Sequence, residues 1–73
     1  MITVLNVMKI FLNGEEKTIR PKMTIAELIS ELELDVKKIA IEKDLQIINQ
    51  SEFSTVVLDE GARIEIVHFI GGG

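Results

Sequence analysis

The sequence contains no cysteine. Disulfides, thiolate metal sites and a cysteine nucleophile are excluded on that count. The absence fits a reducing compartment without requiring one. There is a single histidine, His68. One imidazole makes no metal site without carboxylate help, and no ligand spacing accompanies it. Basic residues are the minority, 8 Lys and Arg against 12 Asp and Glu, for a net charge of −4. Affinity for phosphates comes from lysine and arginine, so the chain is poorly matched to nucleic acid. It is better matched to a protein partner with a basic docking face. The apolar runs fall far short of the ~20 residues that a membrane span needs. The start, Met1-Ile2-Thr3-Val4, lacks the basic segment of a signal peptide, and the cytoplasm is the expected location. No paired carboxylates, nucleophile–base set or phosphate loop stands out, so the chain does not read as an enzyme.

What is present suffices for one small domain. The 73 residues are 47% hydrophobic, enough for a single core without staples. A chain this short buries only about 60% of its unfolded surface, which implies a modest stability on the order of 5 kcal/mol.

From Thr3 to Leu12 the residues are rich in Val, Ile and Leu, which predicts a strand, with Met1 to Val7 as an extension and Met8 as an alternative start of the domain. Asn13-Gly14 is a strong hairpin signal, because a type I′ turn needs positive φ at both central positions. Glu15 to Arg20 returns as the second strand, Thr18 and Arg20 on one face, Lys17 and Ile19 on the other. Pro21 cannot donate to a ladder and ends it. Thr24 and Glu27 form a capping box. Ile25, Leu28, Ile29 and Leu32 then share one face of a helix that ends near Glu33. Burying those four side chains contributes roughly 6–12 kcal/mol before entropy is subtracted. Asp35 to Lys38 is a linker or short turn, Ile39 to Ile41 a brief strand, Lys43-Asp44 a turn and Gln46 to Ile48 another short strand. Ser51 caps a single helical turn through Phe53. Asp59-Glu60-Gly61 is a tight turn, with Gly61 at positive φ. Arg63 to Phe69 is the last strand, with Ile64 and Ile66 inward and Arg63, Glu65 and Val67 outward. A helix across one face of a mixed sheet of four to five strands satisfies this α+β pattern. The opposite face is left partly open, with an apolar patch around the exit that suits a partner.

The last five residues, Phe69-Ile70-Gly71-Gly72-Gly73, follow directly. Glycine offers no side chain to a core and loses the most freedom on ordering. Three in a row suit a thin tail that enters a narrow cleft, although alone they equally fit a frayed terminus or a cloning scar. The domain is expected to span 1–70 and the tail 71–73.

On these residues the chain resembles the ThiS family of ubiquitin-like, β-grasp sulfur carriers of thiamin biosynthesis. The matching pieces are Lys9-Ile10-Phe11-Leu12-Asn13-Gly14-Glu15, Thr24-Ile25-Ala26-Glu27-Leu28-Ile29, Ile39-Ala40-Ile41-Glu42 and, most specific, the ending Ile64 to Gly73. Three positions depart from the pattern: Glu33 stands where a glycine often follows the helix, Asp44-Leu45 where Asn-Gly is usual, and Asn49-Gln50 where Pro-Arg tends to follow. They leave the helix exit and the middle turn open, and any role of that arginine is absent here.

The resemblance implies a protein co-substrate whose working group is the carboxylate of Gly73. An E1-like adenylyltransferase of the ThiF type would use ATP and Mg²⁺ to convert this poor electrophile to an acyl-adenylate. A persulfide from a donor such as a cysteine desulfurase would then displace AMP and leave a thiocarboxylate. A thiazole synthase of the ThiG type would receive the sulfur. The carrier itself would hold no cofactor. Gly71 and Gly72 would let the tail extend into both clefts, with Phe69, Ile70 and Val67 docking at the mouth. Two alternatives stand beside this reading. One is a carrier for molybdopterin or tungsten-cofactor synthesis, usually longer, with bulkier residues before the last two glycines. The other is a ubiquitin-like interaction module without terminal chemistry. His68 reads first as a half-exposed strand residue and second as a group that tunes docking with pH. Glu15, Glu16, Glu60 and Glu65 read as solvation, some of them facing a basic partner.

Overall fold

A computed structural model describes residues 6–69. The expectations for Met1 to Leu5, for Ile70 and for Gly71, Gly72 and Gly73, including the domain boundary at residue 70, lie outside them. Five strands form one mixed sheet in the order β2-β1-β5-β3-β4. They are β1 (Met8–Leu12), β2 (Glu15–Ile19), β3 (Ile39–Lys43), β4 (Gln46–Ile48) and β5 (Arg63–His68). The helix α1 (Ile25–Glu31) covers one face. β1 begins at Met8; Asn6 and Val7 lie outside it and do not extend the strand.

Register puts the core on one face of the sheet. Met8 faces Ile19 across β1–β2, Leu12 faces Ile64 across β1–β5, and Ile41 faces Ile66 on one side and Ile48 on the other. Ile10, Ile41 and Ile64 are buried there against Ile25, Leu28 and Ile29 of α1. β5, last in sequence, lies at the centre, parallel to β1 and antiparallel to β3.

The helix starts as its capping box requires. Thr24 Oγ1 accepts the Glu27 N–H at 3.1 Å, and Glu27 Oε1 accepts the Thr24 N–H at 2.8 Å. That backbone bond, with help from the Thr24 hydroxyl and Arg20, holds the Glu27 carboxyl below its ordinary range. α1 stops at Glu31 with Leu32 as its cap, two residues short of the expected end. Glu33 then adopts φ 58. Its N–H donates to the Ser30 carbonyl, and the Leu34 N–H donates to that of Ile29, each at 3.1 Å. These are the two bonds of a Schellman motif, normally built on glycine at this position.

The same substitution of residue type at constant geometry recurs at the middle turn. Asp44 and Leu45 take φ 51 and 70, as Asn13 and Gly14 take 49 and 85 in the first hairpin. Lys43 faces Gln46 and Leu12 faces Glu15, so each is a two-residue loop with positive φ at both positions. The turn therefore falls on Asp44-Leu45, and β3 runs on through Lys43.

Two further boundaries differ from the sequence reading. The turn before Phe53 is a 3₁₀ helix over Gln50–Glu52, and Asn49 precedes it in the capping place expected for Ser51. Asp35 to Lys38 contains a 3₁₀ turn over Val36–Lys38, with Asp35 Oδ1 accepting the Lys37 N–H at 2.9 Å. Gly61 holds φ 81, as expected for its turn.

Candidate functional site

β5 is the last described strand before the terminal residues, so the contacts that fix β5 fix the base from which they continue in sequence. β1 stops pairing with β5 at Leu12, opposite Ile64. Asn13 continues the contact, first through its backbone and then through its side chain. Its N–H donates to the Ile64 carbonyl at 2.8 Å, its Oδ1 accepts the Ile66 N–H at 2.8 Å, and its Nδ2 reaches the Ile66 carbonyl at 3.4 Å. The other flank is treated alike. The Asp44 N–H donates to the Arg63 carbonyl at 2.8 Å, and Asp44 Oδ1 accepts the Arg63 N–H at 3.0 Å. At the far end the Phe69 N–H donates to the Lys38 carbonyl at 2.8 Å.

Asp44 is also one of two anchors for Lys43. Lys43 lies on the core face opposite Ile64, and its ammonium emerges 3.1 Å from both Asp44 Oδ2 and Asp59 Oδ1. Partial burial opposes its charge, but the two carboxylates outweigh that and raise its pKa. The Arg63 N–H, with the Lys43 ammonium, holds Asp44 below its ordinary value.

The face away from α1 carries Val67, 56% exposed, and Phe69, 55% exposed, with Ile47 on β4, 75% exposed. Ala40 faces Val67, Ile47 faces Glu42, and Glu42 faces Glu65. Glu42 and Glu65 are thus like charges directly opposite across an antiparallel pair, an unfavourable arrangement. Neither forms a salt bridge among the described residues. An open cavity of about 280 Å³ is lined by Phe11, Gly14, Arg63, Ile64 and Glu65. Its walls hold an aromatic ring and paired signs of charge, a lining suited to a partner's side chain. His68 sits opposite Ile39 at the end of β5 and is exposed.

The expected orientations in β5 hold: Ile64 is 1% exposed and Ile66 packs against the core, while Arg63, Glu65 and Val67 face out. Val67 and Phe69 fall on one exposed face; Ile70, Gly71, Gly72 and Gly73 lie outside the described residues. Sequence reasoning took Asn13 and Asp44 as turn formers only. Their side-chain bonds depend on β5 lying between the two hairpins, which no local pattern encodes.

One helix laid across a five-stranded mixed sheet, with the final strand at its centre, defines a ubiquitin-like β-grasp. The crystal structure of the thiamine biosynthesis protein ThiS from Geobacter metallireducens shares this fold, with a TM-score of 0.79 at 23% identity over 90% of this chain and 100% of that one. The sequence pattern of the ThiS family matches residues 10–73, and the chain belongs to that family. The sulfur carrier protein ThiS of Bacillus subtilis is 36% identical over 63 residues, 85% of this chain and 96% of that protein. A thiazole synthase of Paramagnetospirillum magneticum is 42% identical over 66 residues, 90% of this chain. A second, from Magnetococcus marinus, is 39% identical over the same length. The chain spans only 20% of the length of either thiazole synthase.

Proposed function

We propose that this chain is a sulfur carrier for thiazole formation in thiamin biosynthesis, and that the carboxylate of Gly73 is its cargo site. The observation that carries this reading is the family match, which spans residues 10–73 and so includes Gly71-Gly72-Gly73. A free carboxylate resists attack because it is anionic and resonance-stabilised. An adenylating enzyme of the ThiF type joins it to AMP at the expense of ATP and releases pyrophosphate, with Mg²⁺ offsetting phosphate charge. A persulfide sulfur, supplied by a donor such as a cysteine desulfurase, then attacks the acyl carbon and expels AMP. The product is an acyl disulfide; a second thiol attacks its donor-side sulfur, forms a disulfide with the donor and leaves a thiocarboxylate on Gly73. Gly71 and Gly72 have no Cβ to widen the tail as it enters each enzyme.

The body docks through the exposed face around Val67 and Phe69, with Ile70, next in sequence, as a further docking residue. The thiazole synthase names of two relatives, in which a segment like this chain forms a fifth of a longer protein, support a ThiG-type partner. They also favour the thiamin pathway over molybdopterin or tungsten-cofactor synthesis.

The test is intact mass. Incubation with the adenylating enzyme, ATP, Mg²⁺ and a sulfur donor raises the mass by about 16 Da, the difference between sulfur and oxygen. An unchanged mass overturns the reading. Deleting Gly72-Gly73 abolishes the shift and leaves the fold intact; a shift retained after deletion overturns the tail assignment.

A further inference from the structure

We infer that Asn13 is a positioning residue for the end of β5, acting through Ile66; its meaning for function rests on the carrier reading above. Ile64 and Ile66 turn their backbone groups towards β1, whereas Arg63 and Phe69 turn theirs towards the β3 side. The Asn13 N–H makes the last backbone bond on that flank, to the Ile64 carbonyl, and the chain then turns away. The Asn13 amide replaces it, presenting an acceptor and a donor to one residue as a peptide unit of a neighbouring strand would. β5 is thereby held on both flanks as far as Ile66, three residues before Phe69. On the other flank the pairing of Ile39 with His68 and the bond from Phe69 to Lys38 complete the support.

A strand held on one flank twists and splays more freely than one held on both. Those last paired residues set the orientation of β5 up to Phe69, the base from which the sequence continues. A partner cleft accepts one orientation, and the apparent affinity falls in proportion to the fraction of molecules that offer it. Loss of the Asn13 amide therefore weakens productive docking, while the chemistry of a molecule already docked is untouched.

Two substitutions separate this role from turn formation. Asn13→Gly keeps a two-glycine type I′ loop, which tolerates positive φ at both positions, but removes the amide. Asn13→Asp keeps the acceptor for the Ile66 N–H and an Asp-Gly turn. The full chain of each is titrated against the adenylating enzyme with ATP and a sulfide donor, well below its unfolding temperature. For Asn13→Gly the KM for the carrier rises about tenfold and kcat stays within about twofold. For Asn13→Asp both stay within about threefold. In parallel, amide exchange and ¹⁵N order parameters are measured on the carrier alone. Asn13→Gly speeds exchange at Ile66 about tenfold and lowers the order of Val67 to Phe69, and Asn13→Asp does neither. An unchanged KM in Asn13→Gly, a fall in kcat alone, or unchanged order at Val67 to Phe69 overturns the positioning role. If the unsubstituted carrier gains no sulfur, the carrier reading falls, and the exchange and order measurements decide the positioning role on their own.

Discussion

The Asn13 side chain and the Ile66 backbone are joined as two strands are joined, by an N–H⋯O bond of 2.8 Å and a second, longer contact of 3.4 Å. Replacing Asn13 with alanine removes both and leaves a Cβ residue at φ 49, without the local bonding that lets asparagine tolerate that conformation. Asn13→Ala is expected to lower the unfolding free energy by about 1–3 kcal/mol, read from urea melts at constant m. Asn13→Gly removes the bonds without the strain, and its cost stays near ~1 kcal/mol. Equal costs for the two would show that the turn conformation carries no strain.

Lys22, Glu33 and Leu45 hold φ of 64, 58 and 70, conformations that suit glycine. Glycine relieves roughly 1 kcal/mol or more of strain at each and returns somewhat less through greater freedom of the unfolded chain. Leu45 is 86% exposed, so its side chain has little burial to lose. Glu33→Gly and Leu45→Gly are each expected to stabilise the domain by about 0.5 kcal/mol, measured as a shift in urea midpoint. A drop in midpoint for both would mean that those side chains stabilise the body through contacts other than burial.

Asp44 and Glu27 have carboxyls held below their ordinary values of 3.8 and 4.5. A depressed folded pKa gives stability that is present above the unfolded value and lost as pH falls through the folded one. Thermal midpoints are therefore expected to hold near neutrality and fall below about pH 4. Asp44→Asn keeps an acceptor for the Arg63 N–H but cannot titrate. Its loss of stability between neutral pH and pH 3 should be smaller than that of the unsubstituted chain. Lys43 is shifted upward from 10.5, so its contribution is complete below that value and disappears only as pH rises beyond it.

Glu42 and Glu65 face one another on the exposed side of the sheet. Glu65→Gln removes the repulsion and is expected to add about 0.2–1 kcal/mol at low salt. The gain should shrink as ionic strength rises, because both groups are solvent-screened. A gain independent of salt would point to packing as its source.

Much of this fold is legible in local sequence. The capping box at Thr24 and Glu27, the four apolar positions of α1, and the Asn13-Gly14 loop each rest on neighbours within a few residues. The inward run of Ile64 and Ile66 follows from strand alternation alone. What was not legible depends on partners distant in sequence or on geometry that overrides preference. Glu33 and Asp44-Leu45 look like poor turn residues, yet Leu34 packs on the core and Asp44 bonds to Arg63, and those contacts hold the turns against propensity. Ser51 is a good capping residue by type, but the cap falls two residues earlier, at Asn49, where the Glu52 carboxylate reaches back to the Asn49 N–H at 3.3 Å. The bond between Asn13 and Ile66 spans 53 positions and appears only once strand order is known.

That strand order bears on how the protein is made. The middle strand of the sheet is the last of its five strands to be synthesised, and the hairpins on either side of it have no shared edge until it arrives. A nascent chain halted before residue 63 is two sheet fragments and a helix with a bare apolar face. Completion of the body thus waits on β5, and a chain released before that strand is made keeps its apolar surfaces bare.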